Sequence, residues 1–146
     1  MDIDHTVADA AWRDSLIGQW DAYYMSSIDD EPIYHVAELV DSLYGGGWSI
    51  IGCTARPEQW RKVTVEWLVK WNIPFDHLLM RPDDDFRKAP EVKVDMIKRH
   101  FGEDMSSIIL MLDDRLDVVE AVRRELGIPA FQFFSKALGE RPIWVE

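Results

Sequence analysis

Asp2 and Asp4, in the run Asp2-Ile3-Asp4-His5-Thr6, set two carboxylates two positions apart, and Asp113-Asp114 closes an apolar run far down the chain. A carboxylate can attack phosphorus, a second two residues on can handle the proton of the leaving group, and a third can hold Mg²⁺ beside them. That chemistry is phosphoryl transfer. Taken alone the pattern carries little, because the chain has 27 acidic residues and most acidic pairs are solvated surface. Order supplies the specificity. The apolar run Trp48 to Cys53 ends in Thr54-Ala55-Arg56, a lone basic residue follows at Lys93, and Ser107 to Leu112 delivers Asp113-Asp114-Arg115.

The elements that must position these residues alternate between apolar runs of strand length and stretches of helical periodicity. This predicts βα units and an α/β fold, a three-layer sandwich around a mostly parallel central sheet. Helices are expected from about Ala8 to Met25 and from Ile33 to Leu43, the second ended by Gly45-Gly46-Gly47. The strand Trp48 to Cys53 follows. Pro57 suits the first turn of a helix carrying Trp60, Val63, Trp67, Leu68 and Trp71, which Asn72-Ile73-Pro74 ends. A short strand His77 to Met80, a helix Pro90 to Phe101, a strand Ser107 to Leu112, a helix Leu116 to Leu126 and a strand Ala130 to Phe134 complete the pattern. In such a sheet ligands bind at the carboxyl ends of the strands, where Thr54 and Asp113 are expected to meet.

The four pieces in this order resemble the haloacid dehalogenase (HAD) superfamily of phosphohydrolases. The runs Arg87 to Lys93 and Leu112 to Glu120, with the arginine-bearing stretch Ala121-Val122-Arg123-Arg124, are similar to the phosphatase domain of bacteriophage polynucleotide kinase/phosphatase. The resemblance implies that Asp2 is the nucleophile of an aspartyl-phosphate intermediate and that Asp4 is the general acid and base. It implies Mg²⁺ held by Asp2, Asp113 and the backbone carbonyl of Asp4, with Asp114 behind them. Thr54 and Lys93 would bind the transferring phosphoryl oxygens, and Arg13 and Arg56 the phosphate. Plainer roles stand beside these: Thr54 as a helix cap, Arg13 as a surface arginine, and Lys93 as a solvated lysine with Lys88 and Lys98 as competitors. The kinase half of the phage enzyme has no counterpart, so phosphorylation is not implied. The segment between Thr6 and Thr54 is too short for more than a small cap, which leaves the site open. Trp12, Trp20, Tyr23 and Tyr24 in it could stack on a base, although core packing is the commoner use of such rings.

In that superfamily the nucleophile ends a central apolar strand, whereas only Met1 precedes Asp2. Either the sequence is truncated, its start is assigned too late, or the strand is absent, and losing the strand would open a gap at the centre of the sheet, exposing strand edges at a cost of several kcal/mol. At 146 residues a single domain is expected over 1–146. The lone Cys53 fits core packing in a reducing cytoplasm, and no apolar run is long enough to span a membrane. Self-association is left open. The net charge of −11 without a basic stripe disfavours extended duplex binding. A phosphorylated nucleotide or a polynucleotide end is the expected partner. Three readings follow: a Mg²⁺-dependent phosphatase of 3'-phosphorylated DNA or RNA ends, a phosphatase of free nucleotides or other small phosphomonoesters, and a nonenzymatic binding module that kept the fold.

Overall fold

In the computed structural model, residues 1–133 are described, and they form an α/β structure with helices on both faces of parallel strands. Strand β1 (Ala8–Asp9) pairs antiparallel with β2 (Glu31–Pro32) at one edge of the site. Between them lie a 3-10 helix (Ala11–Leu16), α1 (Trp20–Met25) and a second 3-10 helix (Ser26–Asp29). After α2 (Tyr34–Gly45) come β3 (Ile51–Pro57), α3 (Arg61–Lys70), β4 (His77–Arg81) and α4 (Ala89–Phe101). Then follow β5 (Met111–Asp113), α5 (Leu116–Leu126) and β6 (Ala130–Gln132). Strand β3 runs parallel to β4, and β5 parallel to β6.

Two residues join these pairs. The Met1 amino group donates to the Ile51 carbonyl at 2.6 Å, the Cys53 N–H donates to the Met1 carbonyl at 2.8 Å, and the Asp2 N–H donates to the Leu112 carbonyl at 2.9 Å. This alternation is that of a parallel ladder, so Met1 and Asp2 make strand-like rungs between β3 and β5. Behind Met1 the two strands part around an apolar cavity of about 540 Å³ lined by Ile51, Leu79, Ile97, Ile108, Leu110 and Leu112. Asp2, the residue expected to act as nucleophile, is held through the backbone hydrogen bonds that Met1 and Asp2 make on both sides.

One face of the sheet is sealed by Val92, Met96 and Ile97 of α4 and Val118, Ala121 and Val122 of α5, packed on Cys53, Met111 and Ala130. The other is sealed by Val36 and Val40 of α2 and Trp67 and Leu68 of α3, packed on Ile3, Val7, Leu78 and Leu112. Cys53 is a buried packing residue, its thiol pushed up by burial to about 11, and is no nucleophile.

Several expected boundaries are corrected. No continuous helix runs from Ala8 to Met25: Ala8 is drawn into pairing with Pro32, and Gly18, at φ +97°, turns the chain between the 3-10 helix and α1. Strand β3 begins at Ile51 rather than Trp48, because the chain leaves α2 through Gly47 at φ +93° and first meets the β4 side where Asp76 N–H donates to the Ile50 carbonyl. It then runs on past Thr54 to Pro57, with its register broken between those residues. Strand β5 keeps only Met111 and Leu112 of the expected Ser107 to Leu112 and adds Asp113, since Ser107–Leu110 flank the cavity instead of a neighbouring strand. Helix α5 has the expected bounds and ends at Gly127 in the left-handed region. Phe134 lies outside the described residues.

Candidate active site

Strand ends and one helix place the acidic cluster. Asp2 is positioned by the short ladder described above, and the chain then folds back sharply, with the N–H groups of Thr6, Val7 and Ala8 all donating to the Ile3 carbonyl. His5 sits at φ 60° in this turn, beside Asp14 at 3.2 Å. Asp113 ends β5 and accepts the Arg115 N–H at 3.0 Å, while Asp114 follows into the N-terminus of α5. The buried carboxylates of Asp2, Asp113 and Asp114 each offer an oxygen within 4.8 Å of the others. Lys93 reaches in from α4, with Nζ 2.8 Å from Asp2 and 2.6 Å from Asp113. Thr6 Oγ1 lies 3.3 Å from Asp2 and 3.4 Å from Asp114.

Three carboxylates against one ammonium leave this pocket two negative charges in excess when all are ionised. Burial, then the Asp2 and Asp113 charges, push Asp114 up to about 9, and burial likewise raises Asp113 against the pull of Lys93. The Lys93 ammonium is itself held above the ordinary lysine value, because Asp2 and Asp113 outweigh its burial. Buried hard oxygens, mutual repulsion and an excess of two charges suit one divalent cation of the Mg²⁺ type. Asp114 belongs to this cluster rather than standing behind it. The side chain of Asp4 faces elsewhere.

Asp4 is gripped by two arginines. Arg56 Nε and Nη2 donate to its two oxygens at 2.9 and 2.7 Å, and Arg13 Nη2 donates to it as well. Burial alone would raise the Asp4 carboxyl, but the Arg56 and Arg13 guanidinium groups hold it well below the usual carboxylate range. Both arginines are fully buried, which excludes the surface role open to Arg13. Arg13 also donates through Nε and Nη2 to Asp30, at 2.9 and 2.7 Å, and Arg56 Nη1 donates to Thr64 at 3.0 Å and to Ser27 at 3.3 Å. Asp30 is completely buried, and its carboxylate accepts the Trp12 indole N–H while its carbonyl accepts those of Trp67 and Trp71.

Sequence reasoning missed Asp30. Among 27 acidic residues nothing local separates it from Asp29, and its role exists only once Arg13 is folded over it. Thr54 is buried beside the site at the register break of β3, where its hydroxyl accepts the Arg56 N–H at 3.2 Å. It caps no helix. Lys88 and Lys98 remain outside the pocket that Lys93 enters.

With this geometry in view, the family comparison is decisive: the model of the polynucleotide kinase PNKP phosphatase domain matches residues 1–136. The chain belongs to this family. It is a HAD-type phosphatase domain, and family membership sets aside the nonenzymatic binding module. Among solved structures, a chain of the Pnkp1/Rnl/Hen1 RNA repair complex aligns at 29% identity and a TM-score of 0.79, over 90% of this chain and 40% of its own. A chain in another structure of the Pnkp1/Rnl/Hen1 complex aligns at 28% identity and a TM-score of 0.76, over 90% of this chain and 43% of its own. The present chain thus spans about two fifths of the length of those relatives. No curated protein matches it. No helix among the described residues is long and apolar enough to cross a membrane.

Proposed function

We propose that this phosphatase domain removes the 3'-phosphate from DNA or RNA ends, with Mg²⁺, through a phosphorylated Asp2. The observation that carries the reading is the division of labour between Asp2, set among Lys93, Asp113 and Asp114, and Asp4, set between Arg13 and Arg56. Asp2, Asp113 and Asp114 would hold the Mg²⁺, together with the Asp4 carbonyl, and the ion would neutralise charge developing on the phosphoryl oxygens.

An oxygen of Asp2 attacks phosphorus and the bond to the 3'-oxygen breaks. Lys93 and Thr54 hold phosphoryl oxygens during the transfer. An incoming phosphate competes with Asp4 for the guanidinium groups of Arg13 and Arg56. Released from them, Asp4 takes up a proton and gives it to the departing 3'-oxygen. Asp4 then accepts a proton from the water that attacks the phosphorylated Asp2, which frees inorganic phosphate and restores the carboxylate.

The net charge of −11 favours a second substrate class, free nucleotides, since a short anion meets less repulsion than a polymer. The test is phosphate release in Mg²⁺ from a 3'-phosphorylated oligonucleotide and, in parallel, from 3'- and 5'-mononucleotides, with Asp2→Asn as the control. Higher kcat/KM on the oligonucleotide supports end repair. Higher kcat/KM on mononucleotides moves the protein to nucleotide metabolism, and release that survives Asp2→Asn overturns the assignment of the nucleophile.

A further inference from the structure

The segment between β1 and β2 carries a group of aromatic rings that the chemistry described above does not use. Trp20 stacks on Tyr24 with ring centroids 6.1 Å apart and planes at 25°, and Tyr24 continues onto Trp60 at 5.8 Å and 31°. Tyr23 braces the column edge-on, 5.7 Å from Trp20 and 5.2 Å from Tyr24, and the Arg13 guanidinium lies 4.2 Å over the Tyr23 ring. The inner rings are partly or fully covered, yet Trp20, at the outer end, is 51% exposed. A core has no use for an indole presented this way.

The column is tied to the phosphate end of the site by its backbone. Arg13 Nη1 donates to the Tyr23 carbonyl at 3.2 Å, and Arg56 Nη1 donates to Thr64, whose own hydroxyl donates to the Trp60 carbonyl at 2.9 Å. Both arginines that grip Asp4 therefore also fix the segments that carry the rings.

We infer that Trp20, backed by Tyr24 and Trp60, is a stacking platform for an unpaired nucleobase of the strand end whose phosphate lies at Asp2. The inference rests on the proposed function and narrows its substrate to frayed or single-stranded ends. Charge favours this occupant over an extended backbone contact: a chain at −11 without a basic stripe gains little from a long polyanion, whereas stacking on a flat neutral ring is independent of that charge. An unpaired base is also covalently attached to the phosphate it accompanies. Stacking of one base on one ring contributes about 1–3 kcal/mol, or roughly 5- to 150-fold in affinity.

The experiment measures binding in an Asp2→Asn background, which blocks turnover, by fluorescence anisotropy of labelled 3'-phosphorylated oligonucleotides ending in a normal or an abasic nucleotide. Trp20→Leu is expected to weaken binding of the normal end roughly 5- to 150-fold, to leave the abasic end unchanged, and to leave the salt dependence unaltered. Trp20→Phe is expected to restore most of the loss, which separates stacking from damage to the fold. Equal binding of the two ends by the parent, or an equal loss for both with Trp20→Leu, overturns the platform. If the platform behaves as expected but wild-type protein releases no phosphate from 3'-ends, the platform stands and the end-repair reading falls. If release proceeds with no base dependence in binding, the reverse holds.

Discussion

Asp2 and Asp4 are separated by one residue in the chain and by opposite electrostatic surroundings in the fold. Asp2 shares its pocket with two further buried carboxylates and one ammonium, a place short of positive charge. Asp4 sits between two buried arginines, with Asp30 taking up the surplus. In extended backbone residues two apart share a side, but the chain folds back sharply at Ile3, so Asp4 is turned away from the pocket that holds Asp2. The difference supports the proposed roles beyond spacing alone: the acidic pocket suits a cation beside the proposed nucleophile, and the arginine clamp would keep Asp4 ionised until a phosphate competes for its partners.

The contrast can be broken most severely at Asp2, the proposed nucleophile. Asp2→Asn keeps the shape of the pocket and is expected to lower kcat for phosphate release by on the order of 10⁴ or more. Asp4→Asn should cost roughly 10²- to 10⁴-fold, and the loss should shrink on an ester with a good leaving group that needs no proton. Steady-state kinetics on two such esters would decide. Equal losses on both would remove Asp4 from the protonation step.

Arg56→Lys replaces a two-pronged grip with a point charge. It is expected to reduce kcat/KM by about 10- to 100-fold, the scale of one charged hydrogen bond. Asp30→Asn, which touches no substrate, should act through Arg13 in the same direction, with a KM that rises more than kcat falls.

The smallest effect is on stability. Asp113 and Asp114 have folded-state values raised above those of the unfolded chain, so the native state binds more protons and metal-free protein loses stability as pH rises. The window runs from the ordinary carboxylate value of about 4 to about 9. Thermal melts should fall across it by at least about 5 °C. Mg²⁺ or Asp114→Asn should flatten the slope, and a melt indifferent to both would disprove the crowding of charge in the acidic pocket.

Much of this arrangement was legible in the residues, and unevenly so. Helix α5 keeps its expected bounds because periodicity and Gly127 agree, and Lys93 is singled out from its neighbours because it lies on the buried side of α4. The span Ala8 to Met25 was misread since helical spacing of apolar residues says nothing about Gly18 turning the chain between two short helices. Asp114 was placed behind the cluster, yet its carboxylate enters the pocket. Asp30 was invisible because a buried counter-ion has no local signature. Its identity depends on where an arginine seventeen residues away comes to rest.

The cavity behind Met1 also ties the packing of residue 1 to the position of Asp2. The Met1 nitrogen is a structural donor one residue from the Asp2 carboxylate. Residue 1 is a packing element between β3 and β5 as well as a rung beside Asp2, so a change of its side chain reaches Asp2 through the backbone.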